Sequence, residues 1–116
     1  MVRTESTMLA LGTPAPAFRL PDTEGRWVSL ADFATERALV VMFLCNHCPF
    51  VIHVRDGLAA LAREYSARGA AFVGINANDA QAHPDDAPEK MVLEKQRAGY
   101  VFPYLFDETQ EVARAY

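Results

Sequence analysis

The chain has 116 residues, of which 51% are hydrophobic and 22% charged, and its net charge at pH 7 is −4. These totals predict one small packed domain and exclude a disordered composition. The eleven Lys and Arg residues are dispersed, which argues against nucleic-acid binding, and no apolar run reaches the roughly 18 to 20 residues of a membrane helix.

The first part of the chain predicts an arm followed by a β-hairpin. Residues 1–18 lack a sustained apolar stretch before Pro14, which argues against a signal peptide and favours a cytoplasmic location. We expect residues 1–13 to form a loosely held arm and residues 14–116 to form one domain. Within that domain, alternating apolar and polar residues on both sides of a Pro-Asp-Thr-Glu-Gly turn predict a hairpin over residues 17–30.

The middle of the chain predicts a strand, a helix and a second strand. Residues 38–44 are apolar without polar alternation, which indicates a buried strand covered on both faces. A helix should start near the CxxC and run to about Arg68, and residues 70–76 should form the second buried strand. One face of that helix is predicted by apolar residues at steps of three and four: Val51, Val54, Leu58, Leu61 and Tyr65.

The last third predicts a loop, a helix, a strand and a short helix. Residues 78–88 form a polar loop that includes Asp79, His83, Asp85 and Asp86. Residues 87–98 read as a helix that ends before a glycine, and residues 102–106 as a short strand. We expect Asp107 to cap a final helix over residues 108–116.

The only two cysteines, Cys45 and Cys48, lie where the buried strand gives way to the helix. A CxxC pair in this position is typical of a thiol–disulfide redox site. Because a helix N-terminus stabilises a thiolate, we expect Cys45 to be the exposed nucleophile with a lowered pKa and Cys48 to be the deeper, resolving thiol. A protonated His47 would stabilise the Cys45 thiolate further and make the pair a better oxidant.

The same residues leave other interpretations open. Cys45, His47, Cys48 and His53 are all ligand types that zinc accepts, but a structural zinc site usually takes its second pair of ligands from a distant segment. The sequence has no second CxxC, so we expect no metal. Inert buried thiols are the remaining alternative.

Four stretches of the chain resemble the thioredoxin-like branch of the alkyl hydroperoxide reductase/thiol-specific antioxidant (AhpC/TSA) superfamily. They are residues 12–33, 40–51, 72–79 and 102–116, and the CNHCPF segment is most similar to small bacterial thioredoxin-family proteins of the thiol–disulfide isomerase type. The resemblance implies an α/β thioredoxin fold with three α/β/α layers and an N-terminal β-hairpin. It also implies an inserted helix–strand unit at about residues 87–106.

This resemblance implies a thiol–disulfide oxidoreductase. In it, Cys45 attacks the substrate disulfide, Cys48 resolves the mixed disulfide, and His47 adjusts the redox properties of the cysteine pair. We expect the substrate to contact three neighbouring residues, Asn46, Pro49 and Phe50. The expected partners are protein or small-molecule disulfides and a dithiol/disulfide electron partner, with no cofactor, nucleic acid or membrane. One alternative is a peroxiredoxin-like peroxidase with Cys45 as its peroxidatic cysteine, and another is a non-catalytic metal-binding or truncated module.

Three departures from the family pattern qualify these expectations. Met42 stands where typical peroxiredoxins have threonine, which weakens the peroxidase interpretation. Leu39 stands where thioredoxin has a buried aspartate, so a carboxylate from elsewhere, or solvent, would have to accept the proton. Family members continue past the position of Tyr116 with a cis-proline loop, a hairpin and a last helix. We therefore expect a C-terminally incomplete domain whose exposed strand edge pairs with another chain, for example in a homodimer.

Overall fold

The computed structural model describes residues 8–116, so most of the predicted arm, residues 1–7, lies outside the described residues. Residues 8–13 are exposed and contain neither helix nor strand. Strand β1 (Arg19–Pro21) pairs antiparallel with β2 (Trp27–Ser29), which confirms the predicted hairpin.

The predicted strand–helix–strand unit is confirmed, with β3 (Ala38–Phe43), α1 (Pro49–Ser66) and β4 (Ala70–Asn76) in that order. The strands β3 and β4 are parallel, as the long helical crossover requires. Helix α2 (Pro88–Ala98) then leads to β5 (Tyr104–Phe106), which pairs parallel with the other edge of β4. The sheet order is therefore β3-β4-β5, and the helix–strand unit predicted near residues 87–106 is present.

Two apolar clusters divide the molecule into three layers. One cluster lies between the sheet and helices α1 and α2, and the other lies between the sheet, the hairpin and the last helix, α3 (Glu111–Ala115). The first cluster contains Ala59, Ala62, Phe72, Ala98, Tyr100 and Phe102. The second contains Phe18, Val73, Ile75, Leu105 and Val112. This α/β arrangement confirms the expected fold class.

The expectation that β3 is covered on both faces is met only in part. Leu39 and Val41 pack against the second cluster, and Met42 packs against the first. Within residues 8–116, β3 has a single hydrogen-bonded neighbour, β4, and it forms the edge of the sheet. Val40 and Phe43 are consequently exposed.

The buried face of α1 also differs from the predicted one. Arg55, Ala59 and Ala62 are buried, whereas Val54 and Leu61 are exposed. The small alanines let the helix approach the sheet closely, and the arginine is tolerated because it has a charged partner on α2. Apolar periodicity alone could not identify this face.

Helix α3 is shorter than predicted because the chain turns before it begins. Gln110 precedes the helix with a positive φ of 64°. The prediction that Asp107 is the N-cap is therefore wrong, since Gln110 occupies that position. The Asp107 carboxylate still accepts a hydrogen bond from the backbone N–H of Ala113, in the first turn of α3, at 2.9 Å. Among residues 8–116, no helix has both the length and the apolar character needed to cross a membrane.

Candidate active site

The two cysteines bracket the junction between β3 and α1, as predicted. The N–H of Leu44 donates to the carbonyl of Ile75 at 2.9 Å, which keeps the chain on the sheet until just before Cys45. Cys48 is the N-cap of α1 and Pro49 its first residue, a position where the missing proline N–H costs nothing. Both cysteines are free thiols and half-buried, so burial does not distinguish a nucleophile from a resolving thiol.

A buried carboxylate lies beside this junction. Asp86 is fully buried in the loop before α2, and its Oδ2 lies 2.6 Å from Nδ1 of His47. Its Oδ1 accepts a hydrogen bond from the backbone N–H of Asn46 at 2.7 Å, and Asn78 Nδ2 donates to Oδ2 at 2.8 Å. These bonds satisfy the carboxylate and connect the CxxC turn to the loop that follows β4.

Asn46 holds the turn in place through both ends of its amide. Its Nδ2 donates to the carbonyl of Asp85 at 2.8 Å, and its Oδ1 accepts a hydrogen bond from the Tyr104 hydroxyl at 2.8 Å. Burial raises the pKa of Tyr104, so this hydroxyl remains a donor. Of the three residues predicted to contact substrate, Asn46 is committed to internal bonds. Pro49 and Phe50 are exposed, Phe50 at 68% of its surface.

The expected lowering of the Cys45 pKa is wrong. The pKa of Cys45 is raised to about 11, chiefly by burial and also by the negative charge of Asp86 and the proximity of Cys48. Hydrogen bonds from the backbone N–H groups of Cys48 and His47 act in the opposite direction but do not prevail. His47 was expected to stabilise the thiolate directly, but its Nδ1 is paired with the Asp86 carboxylate.

Cys45, His47 and Asp86 could together contact a metal ion. One donor atom from each residue lies within 4.8 Å of the others. However, two ligands of one tetrahedral zinc ion are roughly 3.3 Å apart when both bonds are about 2.0 Å long. The 2.6 Å separation between His47 and Asp86 is instead that of a charge-assisted hydrogen bond. His53 is exposed on α1 and does not belong to this group.

Asp86 is a candidate site residue that the sequence analysis placed only in a polar loop. Its signal was its position after β4, because the carboxyl ends of parallel strands meet at one edge of a sheet, where sites form. His83, in the same loop, stacks on His47 with ring centroids 5.2 Å apart and an interplanar angle of 18°. The loop therefore supplies both a hydrogen-bond partner and a covering ring for His47.

Comparison with known proteins supports the assignment of family and fold. A protein of Mycobacterium tuberculosis described as a "Putative peroxiredoxin" is 33% identical over 117 residues, an alignment that covers 97% of this chain and 67% of the relative. The crystal structure of an uncharacterised conserved protein from Geobacillus kaustophilus is 50% identical, with a TM-score of 0.95, and the alignment covers 99% of this chain and 61% of that one. The chain thus spans less than two thirds of that structure.

A more distant structure confirms the fold. A secreted disulfide oxidoreductase of Mycobacterium tuberculosis superposes with a TM-score of 0.71 at 20% identity, over 85% of this chain and 66% of that one. The model of the AhpC/TSA family matches residues 11–116, which include the hairpin, the CxxC turn and Asp86. The chain therefore belongs to the AhpC/TSA family, and it has a thioredoxin-like fold.

Proposed function

We propose that this chain is a thiol–disulfide oxidoreductase in which Cys45 and Cys48 alternate between dithiol and disulfide. The observation that carries this proposal is the placement of two half-buried free thiols at the N-terminus of α1, with backbone N–H groups directed at the Cys45 sulfur. Backbone donors of this kind stabilise the sulfur as negative charge develops on it.

The proposed reaction has two exchange steps. The Cys45 thiolate attacks one sulfur of a substrate disulfide, a bond forms between the two sulfurs, and the other half of the substrate leaves as a thiolate. The Cys48 thiolate then attacks the Cys45 sulfur and releases the second half of the substrate as a thiolate. The protein ends as a disulfide, and the two protons lost by its thiols are taken up by the two product thiolates.

We assign the first proton transfer to His47, with Asp86 as the residue that positions it. A neutral His47 that donates its Nδ1 proton to Asp86 keeps a lone pair on Nε2, where it can accept the proton of Cys45. The 4.8 Å grouping of the three side chains and the burial of Asp86 support this assignment. In this scheme Asp86 replaces the carboxylate that thioredoxin carries at the position of Leu39.

A dithiol-dependent disulfide-reduction assay on single-cysteine variants tests the proposal. Cys45→Ser should abolish turnover, and Cys48→Ser should accumulate a mixed disulfide between Cys45 and the substrate, detectable by mass spectrometry. Retention of full activity by Cys45→Ser would refute the assignment. A mixed disulfide on Cys48 in place of Cys45 would reverse the two roles.

Peroxide reduction is a second candidate, favoured by the family and by the name of the M. tuberculosis relative. The Cys45 thiolate would take one oxygen from the peroxide to form a sulfenic acid and release hydroxide or an alkoxide. Cys48 would then form the disulfide and release water. Trapping of a sulfenic acid at Cys45, with peroxide consumed much faster than by free cysteine, would favour this activity.

The cytoplasmic location stays a prediction.

A further inference from the structure

A small cavity lies between the CxxC turn and one face of α2. Its volume is about 260 Å³, near the lower end of the range for small-molecule sites. Asn46 and His47 form the wall nearest the cysteines. The rest of the lining consists of Asp85 and of residues at steps of three and four along α2: Lys90, Leu93, Glu94 and Arg97. We call this space the α2 cavity.

Two acidic side chains line the α2 cavity, and one of them is already paired with a cation. Glu94 is buried and its Oε1 lies 2.8 Å from Nε of Arg55. Asp85 is the remaining acidic side chain in the lining. The carboxylates therefore contribute one unpaired negative charge to the cavity.

The basic groups of the α2 cavity have no such partners. Neither Lys90 nor Arg97 forms an ion pair with any residue between 8 and 116, and both are exposed. The lining therefore contains two unpaired cations and one unpaired carboxylate, although the whole chain carries a charge of −4. Leu93 lies between the two cations along the helix and is 58% exposed, so an apolar surface accompanies the positive charge.

We propose, on the basis of the function proposed above, that the α2 cavity is the subsite for a small disulfide that carries carboxylates. Lys90 and Arg97 would bind the carboxylates, and Leu93 would contact the apolar part of the molecule. The size of the cavity favours a small molecule over a folded protein. Neither cysteine lines the cavity, but His47 does, and one of its ring nitrogens lies within 4.8 Å of the Cys45 sulfur at which the proposed exchange occurs.

Disulfides of different charge test this subsite. We would measure kcat/KM for glutathione disulfide, which carries carboxylates, for neutral hydroxyethyl disulfide and for cationic cystamine. The double variant Lys90→Gln/Arg97→Gln should lower kcat/KM for glutathione disulfide about fivefold, because exposed ion pairs have modest strength. The variant should leave kcat/KM for hydroxyethyl disulfide unchanged and should not lower kcat/KM for cystamine.

A matched double variant controls for total charge. Arg68→Gln/Lys95→Gln removes the same charge from positions outside the α2 cavity. An equal loss in both double variants would indicate general steering by net charge and would overturn the subsite. A parallel loss with hydroxyethyl disulfide would also overturn it, since that substrate has no carboxylate to bind.

A ligand that can bind but cannot react tests the subsite independently of the proposed oxidoreductase activity. S-methylglutathione carries the carboxylates but has no disulfide, and saturable NMR shifts should appear at Lys90, Leu93 and Arg97. The absence of those shifts would overturn the subsite, while turnover of hydroxyethyl disulfide would leave the oxidoreductase proposal intact. Shifts in a protein that turns over no disulfide would support the subsite and refute the proposed function.

Discussion

The Nδ1 atom of His47 lies 2.6 Å from Oδ2 of Asp86, and the Asp86 side chain is fully buried. This pair connects the residue between the two cysteines to a loop that follows the neighbouring strand. Since the carboxylate also accepts hydrogen bonds from Asn46 and Asn78, the imidazole is held in one orientation. A histidine held in this way can act as a base toward an adjacent thiol.

Replacement of Asp86 by asparagine removes the negative charge and keeps nearly the same side-chain shape. The negative charge of Asp86 raises the pKa of Cys45, so Asp86→Asn should lower that pKa. The variant should nevertheless react with disulfide about 10²-fold more slowly near neutral pH, because His47 loses the carboxylate that orients it as a base. Ultraviolet absorbance of the thiolate gives the pKa, and stopped-flow mixing gives the rate.

If Asp86→Asn reacted with disulfide as fast as the wild type or faster, the carboxylate would act only by raising the pKa of Cys45. His47→Phe serves as the companion variant, since it retains Asp86 but removes the base. We expect the two variants to have similar rates, and a double variant should be little slower than either single one.

The reactivity of Cys45 should depend steeply on pH. Burial raises its pKa from the ordinary value of 9.0 to about 11, so the thiolate is scarce at neutral pH. Alkylation of Cys45 by iodoacetamide, followed by mass spectrometry, should accelerate about tenfold per pH unit and level off only near pH 11. A plateau below pH 8 would contradict the buried, carboxylate-facing environment.

The same shift links pH to stability. Because the folded protein favours the protonated thiol, the stabilisation is complete below the unfolded value of 9.0 and is lost as pH rises toward about 11. Urea unfolding of the wild type and of Cys45→Ser should therefore differ in pH dependence only over that interval.

Local sequence patterns predicted most elements of the fold but not the surroundings of the cysteines. Val-rich runs, helical spacing and glycine stops located β3, α1, β4 and α2, and the CxxC was correctly placed at a strand–helix junction. The environment of Cys45 depends on Asp86, which only the tertiary fold brings close. A prediction based on the helix N-terminus alone therefore gave the wrong sign for the pKa shift.

The face of α1 was unpredictable for a related reason. Arg55 occupies the buried side because Glu94 of α2 lies opposite, and no single-segment pattern contains that pairing. The exposure of Val54 and Leu61 follows from the same rotation of the helix. Apolar periodicity identified the helix correctly, but its orientation was decided by contacts between elements distant in sequence.

Removal of only one partner of the Arg55–Glu94 ion pair should destabilise the protein. Arg55→Leu leaves a buried carboxylate without a partner, and we expect a loss of about 3–5 kcal/mol in the free energy of unfolding. Arg55→Leu/Glu94→Leu removes both charges and should recover most of that loss. Urea denaturation measures both variants, and an equally unstable double variant would contradict the dominance of the unpaired charge.

Substitution by alanine should change the stability of the protein in opposite directions at Gly74 and at Gly57. A Cβ at Gly74 would lie 3.0 Å from a Phe102 ring atom and 3.3 Å from Tyr104, so Gly74→Ala should destabilise the protein by about 1–3 kcal/mol. A Cβ at Gly57, inside α1, meets nothing within 4 Å, so Gly57→Ala should stabilise it by about 0.5–1 kcal/mol. Thermal unfolding compares them directly, and a shift of the same sign in both would refute the packing argument at Gly74.

The edge of β3 should mediate self-association. Within the described part of the chain, β3 pairs on one side only, and Val40 and Phe43 are exposed on it. Such an edge presents unpaired backbone groups to a second copy. We expect light scattering to detect a dimer and Val40→Lys to shift it toward monomer, because a charge at the edge opposes strand pairing. Val101→Lys, at an exposed apolar residue outside the strands, is the control. A monomeric wild type, or equal weakening by both lysines, would rule out pairing through this edge.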